Sequence, residues 1–291
     1  MHAAPVPSSH PYRITVLRTG TFRLDGGGMF GIIPKSMWAK WAPPDADNCV
    51  RLATNCLLLD DGSRKVLVES GFGDKWSAKE RAIYDFQQRT VVDALREVGV
   101  EPRAIDTVVV THLHMDHAAG LTRFADDGSV VRTFPRAEIV VQRQEWEDAL
   151  SNRSTMTRTY LANHVEPLRP AVRLVEGATE VLPGVAVRPL VGHTWGHQGV
   201  FVRNESGEIT VFPGDLIPTA AHTHPASSLS YDMLPYENMC SKLAFLHAAT
   251  DAGWRLVLDH DPNEPCVRAQ RDATDPTRYR LVPDARSSRS A

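Results

Sequence analysis

The stretch "THLHMDHAAG", residues 111–120, places His112, His114, Asp116 and His117 within six positions. A packed core gains nothing from such a density of imidazoles. Imidazole nitrogens with a carboxylate suit zinc, and equally iron, cobalt or manganese. In extended chain His112 and His114 lie on one side, because side chains alternate, and Asp116 and His117 follow after a turn. Two small donor groups result, enough to begin two neighbouring metal sites and too few to complete them. Three later stretches supply the remainder: "LVGHTWGHQG" offers His193, "VFPGDLIP" offers Asp215 and "LVLDHDP" offers His260. Each donor follows an apolar run, at the rim of a sheet where functional loops collect.

These donors need a scaffold that brings distant strand ends together. "YRITVLRTG" (12–20), "NCLLL" (55–59) and "RKVLVES" (64–70) read as strands. "IDTVVVTH" (105–112) is a continuous apolar run, as expected of a strand buried on both faces. Residues 77–99 read as helical, in two pieces, with Val91, Val92, Leu95 and Val98 on one stripe and a stop at Gly99. "AEIVVQ" precedes a helix "RQEWEDALS", and "GVAVRPLVG", "QGVFVRN" and "EITVFPGD" read as an antiparallel set. An amphipathic helix over 237–253 and a last strand over 254–260 close the pattern. This order fits an α/β protein in which two mixed sheets face each other with helices outside, an αββα sandwich. One domain over 12–267 is expected. A loose arm, 1–11, precedes it, and a polar, Arg-rich tail, 268–291, is expected to fray.

The bulk composition narrows the function classes. The net charge of −3 gives no broad electrostatic case for nucleic acid or an anionic membrane. No apolar run approaches a membrane span, and "MHAAPVPSSHPYR" lacks a signal-peptide core. The four cysteines form no CxxC pair; Cys56 and Cys240 read as buried thiols. A reduced, cytoplasmic compartment is the expectation.

The seven donors, in their order along the chain, resemble the metallo-β-lactamase fold family at every signature position. HxHxDH corresponds to His112, His114, Asp116 and His117, followed by His193, Asp215 and His260. The resemblance spans about residues 12 to 265. It implies that His112, His114 and His193 hold one divalent ion, zinc above iron, cobalt or manganese, and that Asp116, His117 and His260 hold a second. Asp215 would bridge them opposite a hydroxide that acts as nucleophile. The catalytic pair is then Asp215 and Asp116, the latter read either as ligand alone or as proton carrier to the leaving oxygen. One departure is "VESGFG", where the family has an Asp-Thr-Gly-like turn; the longer Glu69 would reach the metal loop from behind.

Within the family the segments "GGGMFGIIPKSMW", "NCLLLDDG" and "GDLIPTAAHTHP" look like the N-acyl-homoserine lactonase and methyl-parathion hydrolase branch. That likeness implies a metal-dependent, quorum-quenching lactonase, with an arylesterase or organophosphate hydrolase as the alternative. It also implies a small ester or lactone as partner, with no nucleic acid or membrane, and a homodimer by analogy. A tyrosine that one lactonase subgroup carries three residues after the bridging aspartate is Pro218 here. Met29, Phe30, Ile32 and Trp38 are read as an apolar substrate wall or, equally, as packing of an N-terminal flap. His222 and His224 are read as pocket-mouth groups or as solvated loop histidines. Trp195 reads as core, and His164 as incidental.

Overall fold

The structure is a computed structural model that describes residues 7–156, 158–275 and 278–285. The first half of the chain forms β1 (Arg13–Asp25), β2 (Cys49–Asp60), β3 (Lys65–Val68), β4 (Thr107–Val109), a small hairpin of β5 (Thr122–Phe124) and β6 (Val130–Arg132), then β7 (Glu138–Gln142) and β8 (Val172–Val175). The second half forms β9 (Thr179–Leu182), β10 (Val185–Pro189), β11 (Gln198–Arg203), β12 (Ile209–Phe212), β13 (Arg255–Val257), β14 (Cys266–Arg271) and β15 (Tyr279–Pro283). Among the described residues eight α-helices are interleaved: α1 (Gly26–Phe30), α2 (Lys35–Trp38), α3 (Ala78–Tyr84), α4 (Val91–Glu97), α5 (Met115–Ala118), α6 (Arg143–Ser151), α7 (Ala162–Val165) and α8 (Pro235–Ala252).

A six-stranded sheet runs β1-β2-β3-β4-β7-β8 and a seven-stranded sheet runs β15-β14-β13-β12-β11-β10-β9. Both are mixed: β3, β4, β7 and β8 pair in parallel and β1 to β3 antiparallel, while β12 and β13 are the parallel pair of the second sheet. The apolar run at β4 explains itself in this frame. Val108 and Val110 pack toward α4 and α6, whereas Val109 joins Val68, Val140, Val200 and Phe212 in the core between the sheets. On the far side Phe201, Val211 and Leu256 pack against Phe245, Leu246 and Ala249 of α8. The four layers are those expected from the order of elements.

Three expectations are corrected. The tail does not fray from residue 268: β14 and β15 pair from Val267–Pro283 to Arg271–Tyr279, and Arg268 meets Asp284 at 3.0 Å. The end of the arm is also tied down, because Arg203 donates to the Ser8 carbonyl at 2.8 Å and Ser8 donates its amide to Glu180 at 2.6 Å. Cys240 and Val98 are exposed rather than packed, since α8 and α4 turn those positions to solvent. Residues 1–6 and 286–291 lie outside the described residues.

Candidate metal centre

All seven sequence-predicted donors converge at the ends of strands from both sheets. His112 and His114 leave β4; Asp116 and His117 sit in α5, whose short turn swings them away from the preceding pair. His193 follows β10, Asp215 follows β12 and His260 follows β13. The imidazoles of His112, His114 and His193 form one group able to hold an ion, and His117, Asp215, Asp259 and His260 form another. Asp215 lies between them. Its Oδ2 is 3.0 Å from His193 Nε2 and 4.0 Å from His112 Nε2, while its Oδ1 is 3.2 Å from His260 Nε2 and 3.7 Å from His117 Nε2. Asp116 reaches the second group from the solvent side, with Oδ2 3.5 Å from His260 Nε2.

Neighbouring groups aim the ring nitrogens. His193 Nδ1 donates to Asp232 Oδ1 at 2.8 Å, and His260 Nδ1 donates to the Ala53 carbonyl at 2.8 Å, which leaves each Nε2 facing inward. Asp232 is itself held by the Leu229 amide at 3.0 Å and by Asn238 of α8. Glu145 of α6 accepts from the Leu113 amide (2.9 Å), the Tyr160 hydroxyl (2.9 Å) and the Thr194 hydroxyl (2.5 Å), so one buried carboxylate ties the 112–114 segment to the His193 loop. Glu69 does reach the metal loop: Oε1 accepts from the Thr111 amide at 2.7 Å, and the next residue, Ser70, donates to the His117 carbonyl at 2.8 Å. At Gly214, with φ +55°, an added Cβ would stand 2.6 Å from His197 Nε2, so the turn that delivers Asp215 has no room for a side chain.

The donor set fits cations. His112 Nε2, His114 Nε2, Asp215 Oδ1 and Asp259 Oδ2 are buried without a hydrogen-bond partner, and orphaned buried groups are costly unless something neutralises them. Burial, reinforced by the adjacent imidazoles, holds His112 and His114 well below the ordinary histidine range, so both are lone-pair donors. Burial opposes ionisation of Asp215, yet His193, His260 and His117 outweigh it and hold the carboxyl well below its usual range. Burial works against the charge on His117, His193 and His260, yet Asp215 and the neighbouring Asp116, Asp232 and Asp259 raise all three, so a divalent ion binding this set of imidazoles and carboxylates would displace their protons.

A cavity of about 480 Å³ opens onto His114, Asp116, His193, Asp215 and His260. A wider cleft of about 1020 Å³, bordered by Arg96, Arg103 and Thr133, touches none of the seven donors. Of the six pocket candidates, Met29 lines the cavity and the others do not. Phe30 and Trp38 are buried in a stack, Ile32 is 84% exposed, His222 is 1% exposed and buried behind the flap, and His224 borders a separate hollow with Trp41 and Tyr279. Leu24, Leu52, Tyr84, Met115, Leu229 and Tyr231 line the cavity instead. Asp259 stands beside the second donor group, whereas Asp261 closes a turn by accepting from Asn263 and Glu264 amides. His164 is buried edge-on to Trp76, and Trp195 lies under the Arg153 guanidinium at 3.7 Å rather than in the core.

Residues 49–260 match the model of the metallo-beta-lactamase superfamily. The chain belongs to that superfamily. Among curated members it is 29% identical over 167 residues to the N-acyl homoserine lactonase AiiA of Bacillus thuringiensis subsp. kurstaki, a match covering 53% of this chain and 60% of that protein. The chain thus spans about 60% of the length of the relatives of this kind. It is 22% identical over 271 residues to the lactonase AiiB of Agrobacterium fabrum, covering 86% of this chain and 93% of the relative. A solved structure, a probable metal-dependent hydrolase from Staphylococcus aureus, superposes with a TM-score of 0.80 at 27% identity, over 91% of this chain and 94% of the other. AidC, a dizinc quorum-quenching lactonase, shares the fold with a TM-score of 0.77 at 16% identity, over 97% of each chain.

Proposed function

We propose that this superfamily member is a dinuclear metal-dependent hydrolase that opens the lactone ring of N-acyl homoserine lactones. The observation that carries the reading is the Asp215 carboxylate, with one oxygen toward each donor group, at the floor of a cavity walled by Leu24, Met29, Leu52 and Leu229. Several relatives are N-acyl homoserine lactonases, and cavities of ~300–1,000 Å³ are the size small-molecule sites take.

We assign His112, His114 and His193 to one ion and Asp116, His117 and His260 to the other, with Asp215 shared and Asp259 behind the second group. Zinc is the ion this donor set favours. Bound there, the pair would acidify a shared water to give a nucleophile at neutral pH and would polarise the substrate carbonyl. The residues divide the remaining work. Asp215 sets the spacing of the two donor groups. Asp232 and the Ala53 carbonyl fix the tautomers of His193 and His260. Asp116, at the cavity surface, would take the proton given up by the attacking water and pass it to the ring oxygen as it leaves. The phenols of Tyr84 and Tyr231, in the cavity wall, offer donors to the substrate's carbonyl or amide oxygen, a role Pro218 cannot fill.

The free cysteines accord with a reduced, cytoplasmic compartment, and the exposed Ile32, Met37 and Trp41 on the flap form the apolar surface that a homodimer would cover. No helix among the described residues is long and apolar enough to cross a membrane.

The test combines elemental analysis of the purified protein with a substrate panel of acyl-homoserine lactones, aryl esters, thioesters and phosphotriesters. Assays follow chelation and restoration with zinc, iron, cobalt or manganese. About two ions per chain and fastest turnover of the lactones are expected. A preference for phosphotriesters, or full activity without metal, would overturn the proposal.

A further inference from the structure

His222 and its neighbours form a built cluster that the proposed chemistry does not use. The His222 ring lies nearly parallel to Phe30, with centroids 4.6 Å apart and planes 8° apart. Phe30 in turn lies on Trp38 at 5.2 Å and 7°. Both imidazole nitrogens are engaged. Nε2 meets the Met29 carbonyl at 2.9 Å and Nδ1 meets the Thr219 hydroxyl at 2.7 Å. A carbonyl oxygen only accepts, so Nε2 carries the proton and Nδ1 accepts from Thr219. The ring is thereby held neutral, in one tautomer and one orientation.

The two ends of this contact matter more than the ring itself. Met29 is the flap residue whose side chain lines the cavity. Thr219 belongs to the loop that follows Asp215, and the neighbouring Pro218 carbonyl accepts from the His260 amide at 3.0 Å. The opposite side of the flap is also fixed: the Gly28 carbonyl accepts from the Ser230 amide at 2.8 Å, and a Cβ at Gly28 would fall 2.1 Å from the Tyr231 hydroxyl. A methionine side chain is flexible, so the position of the wall it makes depends on where its backbone is pinned.

We propose that His222 is a positioning residue for the substrate's apolar arm: it latches the flap backbone at Met29 to the loop carrying Asp215 and so sets the depth of the cavity relative to the reacting centre. The identity of that arm as an acyl chain rests on the lactonase reading; the latch does not. His222 touches neither the donors nor the cavity, and it acts through Met29.

The experiment uses the full chain loaded with metal. His222→Phe keeps a ring for Phe30 and removes both nitrogens. His222→Gln sacrifices the ring and restores a donor toward the Met29 carbonyl. Thr219→Val releases the Nδ1 side alone and stands in should His222→Phe not fold. For each, kcat and KM are measured on lactones of increasing acyl length, alongside metal content and hydrogen exchange of the amides of residues 26–31. For His222→Phe the loss should fall on KM and grow with chain length, reaching about tenfold for the longest acyl group, the scale of one net hydrogen bond. Flap amides should exchange faster, metal content should hold, and His222→Gln should recover part of the KM. A loss in kcat equal at all chain lengths, or flap exchange that does not change, overturns the latch. Absence of lactone turnover by the unmodified protein overturns the proposed activity instead, and the exchange measurement then decides the latch.

Discussion

The metal centre and the flap are neighbours built on opposite principles. At the centre, seven polar side chains from both sheets point inward, and burial leaves several of their atoms without partners. In the flap, Phe30, Ile33 and Trp38 pack together away from the cavity, Ile32 and Met37 face solvent, and Met29 lines the cavity. Donor atoms have one use at a sheet rim, so their type and order along the chain announce their location. Apolar side chains are stable in any packed environment, so a run such as "GGGMFGIIPKSMW" does not reveal which residue faces a ligand and which faces the core.

Removing the shared carboxylate should break the comparison at its strongest point. Asp215→Ala is expected to lose both ions and reduce hydrolysis to background, read by elemental analysis beside the lactone assay, with the fold retained by circular dichroism. Retention of both ions would separate Asp215 from the centre. The converse variant lies in the flap. Trp38→Ala deletes a fully buried ring stacked on Phe30, and should cost ~3–5 kcal/mol by denaturant unfolding while the metal content stays near two per chain. Loss of metal with Trp38 would mean that the two regions fold as one unit.

The same contrast accounts for what could be read from the chain. The αββα layers were legible because β4, β7, β12 and β13 are apolar runs too short to be helices. The donors were legible because each sits where such a run ends. Asp232 and Glu145 were not, although both steady the centre. Each meets its partner across more than thirty residues of chain, and a lone acidic residue in the first turn of a helix or just ahead of one looks like any surface group. The last two strands were missed because "CVRAQR" and "YRLVP" interleave arginines with apolar residues, and Asp284 and Glu208, which meet Arg268, are invisible to local pattern.

Asp232 offers a smaller test of the centre. Asp232→Asn keeps size and shape but replaces an ionised acceptor for His193 Nδ1 with an amide. Loss of such a partner typically costs ~10–100-fold in metal affinity or activity. Asp127→Asn, at an exposed turn where the carboxylate accepts from the Ser129 amide, should change neither by more than about twofold, since surface turn substitutions cost little. Equal effects would remove the distinction drawn between the two aspartates.

Met29→Ala tests the flap from inside the cavity. It removes the side chain that forms part of the wall and leaves its carbonyl available to His222. A buried methionine contributes ~1.5–3 kcal/mol of apolar contact, of which a ligand touching one side would recover a fraction. KM for long-chain lactones should rise several-fold and KM for short-chain lactones less. A uniform fall in kcat would place Met29 with the reacting centre and not with the wall.

The smallest expected effect sits at the boundary of the two regions. Trp195 follows His193 by two residues and reads from sequence as a core side chain, yet Arg153 covers its ring at 3.7 Å while also meeting Asp148 at 3.2 Å. An exposed cation–π contact is worth ~0.5–1 kcal/mol, and an ion pair with a solvent-exposed arginine adds little beyond that. Arg153→Ala should therefore lower stability by ~0.5–1 kcal/mol and leave metal content unchanged. In a double-mutant cycle with Trp195→Ala, the coupling should account for most of the arginine's effect, because the ring is what the guanidinium rests on. A coupling near zero would assign the arginine's contribution to Asp148, and Trp195 would then be held by the protein beneath it, as the sequence alone suggests.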